Sequence, residues 1–316
     1  MFNTYKELDD RATDLWMQGK FNEIIELFKE YTNVFKKNKY DITWGLSLCY
    51  ASIGDLENAY GTLEEGMDRG YFYPIFPNDS MFNSPAYEER FKNLLTRIEE
   101  LKLKKQNAAK VEYILESPKS YSKDTPLLIS LHGWGEGMDF FKERWNSKII
   151  KDKFHHLFIQ SSQVCTYNGY CWDNFETTLE DINSALDTVK ETLGFLPERM
   201  FAGGFSQGGE IAIDLCLKTD LPIKEVVTLC PGFGDDHINY EEKFLSSGLN
   251  HVTIITGEKD VELEKQKIFA EKLEKAKVKY EFIIIDNLSH WFPSNLEELL
   301  DSQFAILLKK INGGGE

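Results

Sequence analysis

The pentapeptide Gly204-Phe205-Ser206-Gln207-Gly208 constrains this chain more than any other stretch. Just before it, Glu198 to Ala202 read as a short apolar strand. Just after it, Ile211, Ala212, Leu215 and Cys216 share one face of a helix. A serine on so abrupt a strand-to-helix turn sits in crowded backbone, and glycines two residues to either side relieve the crowding. Its hydroxyl then stands clear of the sheet, at the N-terminal end of the following helix. Five-residue patterns also arise by chance, so an ordinary glycine-rich turn is the alternative on this segment alone. In its strand-and-helix setting the segment reads as a candidate nucleophile elbow.

An acyl-transfer serine needs a base, a carboxylate that orients the base, and backbone donors for the developing oxyanion. In one hydrolase architecture these follow the chain order Ser, then Asp or Glu, then His. The β-branched run Val252 to Thr256 reads as a buried strand ending in Gly257-Glu258-Lys259-Asp260. A second strand, Tyr280 to Ile285, runs into Asp286-Asn287-Leu288-Ser289-His290. Asp260 and His290 thus each fall on a loop at the carboxyl end of a strand, where open α/β sheets bind their ligands. Other residues compete. Glu258 could carry the carboxylate, whereas Asp286 lies too close along the chain to His290. Asp235 and Asp236 follow a different strand and read as a solvated loop. His155 and His156 read as surface or strand-start residues, His132 as a loop-fixing residue, and His237 and His251 have no motif behind them.

From about residue 111 onward the chain resembles the α/β-hydrolase superfamily, in its carboxylesterase, lysophospholipase and acyl-protein thioesterase branch. The resemblance rests on Gly-Phe-Ser-Gln-Gly-Gly, on Leu131-His132-Gly133-Trp134-Gly135-Glu136 after a strand, on Asp260 in Gly-Glu-Lys-Asp, and on His290. It implies Ser206 as nucleophile, His290 as base and then acid, and Asp260 as orienting carboxylate. It also implies an oxyanion hole made by the backbone amides of Gln207 and Trp134. Read from sequence alone, any of Gly133, Trp134 and Gly135 could point its amide inward; Trp134 is the choice the family suggests.

The implied fold is α/β: a mostly parallel sheet flanked by helices, with a smaller all-α N-terminal domain. Strands alternating with helices argue the same way. The expected domains are residues 1–107, helical, and 108–316, catalytic. In the first, Gly19-Lys20-Phe21-Asn22-Glu23-Ile24 and Gly54-Asp55-Leu56-Glu57-Asn58-Ala59 recur at an offset of 35 residues. That is close to the 34-residue tetratricopeptide period, with two unrelated helical hairpins as the alternative. Two such repeats leave an apolar flank, so the helices are expected to dock on the hydrolase domain, on a second copy or on a protein partner.

The formal net charge of −16 is unevenly placed: 15 basic and 18 acidic residues up to position 110, then 21 and 34 after it. Such a field disfavours nucleic acid and anionic membrane surfaces. The N-terminus is acidic with no apolar signal-like run, and no stretch reaches membrane-span length, so a cytoplasmic protein is expected. Five scattered cysteines fit free thiols. No zinc-ligand spacing is present, so neither a metal nor another cofactor is expected. Trp172, Phe233 and Trp291, on loops near the motifs, are candidate substrate-binding residues, with Tyr167, Phe175 and Phe292 beside them. The expected activity is hydrolysis of small or medium acyl esters through an acyl-enzyme. The alternatives are an acyl thioesterase or lysophospholipase, a serine peptidase, and a repeat-based interaction protein with an inactive hydrolase fold.

Overall fold

The computed structural model describes residues 2–234, 244 and 248–312; Asp235, Asp236 and His237 lie outside the described residues. The chain divides into two compact units, Met1–Ala108 with Cys165–Tyr167, and Ala109–Val164 with Asn168–Glu316.

The first unit is helical: α1 Tyr5–Met17, α2 Phe21–Tyr31, α3 Lys39–Ser52, α4 Leu56–Asp68 and α5 Glu88–Gln106. Each of these helices packs on its neighbour in sequence, the nearest-neighbour pattern of stacked helical repeats. The recurring glycines explain why the chain turns where it does. Gly19 and Gly54 follow the ends of α1 and α3 with φ of +68° and +79°, a left-handed conformation that suits glycine. In each turn the glycine amide and the next amide donate back into the last helical turn, Gly19 to Trp16 and Lys20 to Leu15, Gly54 to Ala51 and Asp55 to Tyr50. Ile24 and Phe28 of the first copy are buried, as are Ala59 and Leu63 of the second. The short Cys165–Tyr167 segment counts with this unit. The Tyr167 ring lies 4.6 Å from Tyr71 and 5.4 Å from Tyr40, measured between centroids.

The second unit is built on a seven-stranded sheet. Its strands are β1 Glu112–Glu116, β2 Leu127–Leu131, β3 His155–Gln160, β6 Met200–Phe205, β7 Ile223–Leu229, β8 His251–Gly257 and β9 Lys279–Ile285. The spatial order is β1-β3-β2-β6-β7-β8-β9. Only β1 runs antiparallel to its neighbour; every other pairing is parallel. A separate hairpin pairs β4 Gln163–Val164 with β5 Tyr170–Cys171. The intervening helices are α6 Met138–Arg144, α7 Lys148–Lys153, α8 Phe175–Leu193 and α9 Gln207–Lys218, followed by helices Leu263–Lys275 and Leu296–Asn312.

Side chains alternate across each strand, so a sheet covered on both faces needs apolar residues at every position. In β2 all five residues are buried, and all but Ser130 are apolar. Leu127, Ile129 and Leu131 join one core with Ile182, Ala212 and Phe269, while Leu128 joins the other with Phe141, Ile150 and Phe304. The elbow strand is displaced from its expected span. It starts at Met200 and runs through Gly203 and Gly204, which pair with Ser130 and Leu131 of β2. Glycines weaken strand propensity, and here the pairing of two flanking strands overrides it. His155 and His156 do open β3, but both are buried rather than at the surface. His156 Nε2 meets Ser130 Oγ at 2.8 Å. Among the described residues, no helix is long and apolar enough to cross a membrane.

Candidate active site

Parallel strands bring their carboxyl ends to one edge, and the chemistry-bearing loops follow from that. β2 leads into His132-Gly133-Trp134, β6 into Ser206, β8 into Asp260 and β9 into His290. Ser206 carries φ +53° and ψ −122°, a conformation a side-chain-bearing residue rarely adopts. Tight packing around the turn leaves no room for side chains on the flanking glycines. A Cβ on Gly204 would stand 2.6 Å from the Leu131 carbonyl oxygen, and one on Gly208 only 2.3 Å from the same atom. The elbow is therefore wedged against the end of β2, with Ser206 at the mouth of α9.

Three side chains far apart in sequence meet here. Ser206 Oγ lies 2.8 Å from His290 Nε2, and His290 Nδ1 lies 2.9 Å from Asp260 Oδ1. Asp260 is 6 % exposed. It also accepts hydrogen bonds from the Thr256 hydroxyl at 3.0 Å and the Glu262 amide at 2.9 Å. Burial by itself would raise the Asp260 carboxyl. The bonds from His290, the Glu262 amide and the Cys230 thiol outweigh it and hold the group well below the usual carboxylate range. The competing carboxylates sit elsewhere: Glu258 is exposed and accepts the Asn287 amide at 2.9 Å, and Asp286 is exposed.

The loop after β2 is internally tied. His132 is fully buried, with Nδ1 2.8 Å from the Gly133 carbonyl and Nε2 accepting the Ser161 amide at 3.3 Å. Nδ1 therefore carries the proton. Burial pushes this imidazole down to about 4, against the opposing pull of the Gly133 carbonyl, so it is neutral at pH 7. The Gly133 amide donates to Glu136 Oε2 at 2.9 Å and the Gly135 amide to the Tyr170 carbonyl at 2.9 Å. Both amides are committed, which counts against either as an oxyanion donor.

Residues 114–302 match the phospholipase/carboxylesterase family of α/β-hydrolases, more than half of the chain. The chain belongs to that family. An uncharacterized protein from Bacillus cereus ATCC 10987 has a similar solved structure, with 20% identity over 97% of this chain and 99% of its own, at TM-score 0.54. That likeness is one of fold. Est1E from Butyrivibrio proteoclasticus is 17% identical over 65% of this chain and 96% of its own, at TM-score 0.47. The Bacillus cereus carboxylesterase is 17% identical over 65% and 98%, at TM-score 0.44. No curated protein sequence matches this chain. As a member of the phospholipase/carboxylesterase family, the chain is a serine hydrolase of the esterase type.

Within this phospholipase/carboxylesterase unit the candidate substrate residues divide. Trp291, beside His290, is 48% exposed, and Trp134 is 38% exposed. Trp172 is 2% exposed and Phe233 is 3% exposed. The Trp172 indole donates to the His132 carbonyl at 2.9 Å, and the Phe233 ring stacks on Phe269 at 4.5 Å. Both are occupied in holding the unit together, a role that loop position alone did not reveal. Phe175 and Phe292 are partly buried against the two cores, and Tyr167 belongs to the helical unit.

Two further side-chain arrangements at the site left no signal in the sequence. The Gln207 side chain accepts the Trp172 amide at 2.9 Å and donates to Asp173 Oδ1 at 2.9 Å. Cys230, with φ +46°, turns its thiol toward Asp260 and the Trp291 carbonyl. Among the described residues, Cys230, Asp260 and His290 are the one group whose ligand atoms lie close enough to hold a metal ion. Burial and the neighbouring Asp260 charge push the thiol far above its ordinary value, so it stays protonated and serves as a donor. All five cysteines are buried and none is joined in a disulfide among the described residues.

Proposed function

We propose that this chain hydrolyses carboxylic esters of small or medium acyl groups through a covalent acyl-enzyme, with Ser206 as nucleophile. The observation that carries the reading is the unbroken hydrogen-bonded line from Ser206 Oγ through His290 to Asp260. Asp260, ionised and buried, accepts the Nδ1 proton and fixes the tautomer in which Nε2 is a lone-pair acceptor. Nε2 takes the Ser206 proton as Oγ bonds to the ester carbonyl carbon. The carbonyl π pair moves onto oxygen, where the amides of Gln207 and Trp134 receive it at the mouth of α9. Collapse of the tetrahedral species breaks the bond to the alcohol, which leaves with the proton held by His290. Water then repeats the sequence on the acyl-serine and releases the acid.

A p-nitrophenyl ester series of increasing acyl length tests this. Wild type is expected to turn over the short members, and Ser206→Ala to fall to background. Equal rates for the two proteins would remove Ser206 from the mechanism.

A further inference from the structure

The loop that follows β2 has a geometry its sequence does not explain. Glu136 closes that loop on itself. Its Oε2 accepts the Gly133 amide at 2.9 Å, and its own amide returns to the Gly133 carbonyl at 3.3 Å. Its backbone also forms a two-way bridge with β5, Tyr170 amide to Glu136 carbonyl and Gly135 amide to Tyr170 carbonyl, each at 2.9 Å. A Cβ on Gly133 would meet the Phe205 ring at 2.9 Å and Glu136 Oε2 at 3.2 Å. The carboxyl group therefore fills the space that a side chain on Gly133 would need. Phe205, the other wall of that space, immediately precedes Ser206.

We propose that Glu136 is a positioning residue for ester hydrolysis: its carboxyl group clamps the Gly133 amide and so sets the loop that presents Trp134 to the oxyanion. This rests on the serine-hydrolase mechanism proposed above. Glu136 touches neither the ester nor Ser206; it acts through the backbone of Gly133. Holding it there runs against its own preference for water. Burial pushes the carboxyl up to about 7, although the Gly133 amide and the charges of Arg144 and His290 pull it back. A carboxyl group kept under that penalty, where a neutral side chain would lose less on leaving water, is accounted for by the bond it makes.

The test uses the full chain and three variants. Glu136→Gln keeps an acceptor at the same reach, Glu136→Asp shortens the arm by one carbon, and Glu136→Ala removes it. The loop shift should lower kcat for p-nitrophenyl butyrate about 10- to 100-fold in Glu136→Ala and Glu136→Asp, with KM little changed. Glu136→Gln should recover most of kcat. Affinity for a trifluoromethyl ketone that mimics the tetrahedral species should fall by the same factor as kcat/KM. A purely structural role would lower thermal stability in all three variants, Glu136→Gln included, and leave ketone affinity and kcat/KM of the folded protein at their wild-type values. If Glu136→Ala does not fold, the Asp and Gln pair reads the same clamp. Wild-type kcat in both Glu136→Ala and Glu136→Asp would overturn the proposal while leaving the mechanism intact. A wild type that hydrolyses no ester and takes no fluorophosphonate on Ser206 would overturn both.

Discussion

At the scale of single residues, the site depends on how one buried carboxylate is satisfied. Asp260 faces His290 with Oδ1 and Thr256 with Oδ2, so each oxygen has its own partner. Asparagine in its place would present an amide to Nδ1 and favour the opposite imidazole tautomer, with the proton on Nε2. Asp260→Asn is therefore expected to lower kcat by roughly three to four orders of magnitude. Its unfolding midpoint should stay close to that of wild type, because the replacement is isosteric and still bonded. Steady-state kinetics beside thermal melts would check both halves. Asp260 and His290 were legible because each closes a β-branched run and so had to emerge at the sheet's carboxyl edge. Glu136 and Cys230 were not. Their partners, Gly133 through a side-chain-to-backbone bond and Asp260 across 30 residues, leave no trace in periodicity.

At the scale of elements, the turn between β6 and α9 is packed too closely to accept a side chain at its glycines. A methyl group at position 208 would lie 2.3 Å from the Leu131 carbonyl oxygen, and that atom belongs to backbone that cannot rotate away. Gly208→Ala should cost about 1–3 kcal/mol of stability by overpacking and also displace Ser206. A chemical-denaturation midpoint equal to wild type would contradict this. In the helical unit, Gly54→Ala meets no neighbouring atom within 4 Å but must adopt φ near +79°. Strain alone should cost about 1 kcal/mol there, with activity unaltered. Equilibrium unfolding and an ester assay would separate the two. The long elements announced themselves by periodicity. The β4–β5 hairpin, with two residues in each strand, and the short helices α6 and α7 are too brief to show a period, so their existence followed only from folding.

At the scale of the whole molecule, pH dependence is set by groups buried in the form they hold at neutrality. Burial holds His132 down at about 4 and His156 at about 3, the latter helped by the Lys142 and Lys151 charges. Unfolded imidazoles titrate near ~6.5, so their contribution to stability is complete above that value. It is lost as pH falls from there toward the folded values, at up to ~1.4 kcal/mol per pH unit for each histidine. Melting temperature should thus drop as pH falls from neutrality to 4. Replacing the bonded pair Ser130 and His156 together with Ala and Phe should flatten that drop; an unchanged pH profile would show that His156 is not held neutral. The parallel sheet, the helical first unit and the place of the serine were all readable beforehand, since each rests on patterns that run along the chain. The burial of Trp172 and Phe233 was not, because a loop aromatic reads the same whether it faces a ligand or the core.

The proposed activation of Ser206 by His290 and Asp260 can be tested in one experiment. A fluorophosphonate probe is added to the full-length protein, and the modified peptide is located by mass spectrometry. The account predicts a single adduct on Ser206 in wild type, absent in Ser206→Ala and strongly slowed in His290→Ala. An unlabelled wild-type serine, or labelling at the same rate without His290, would contradict it.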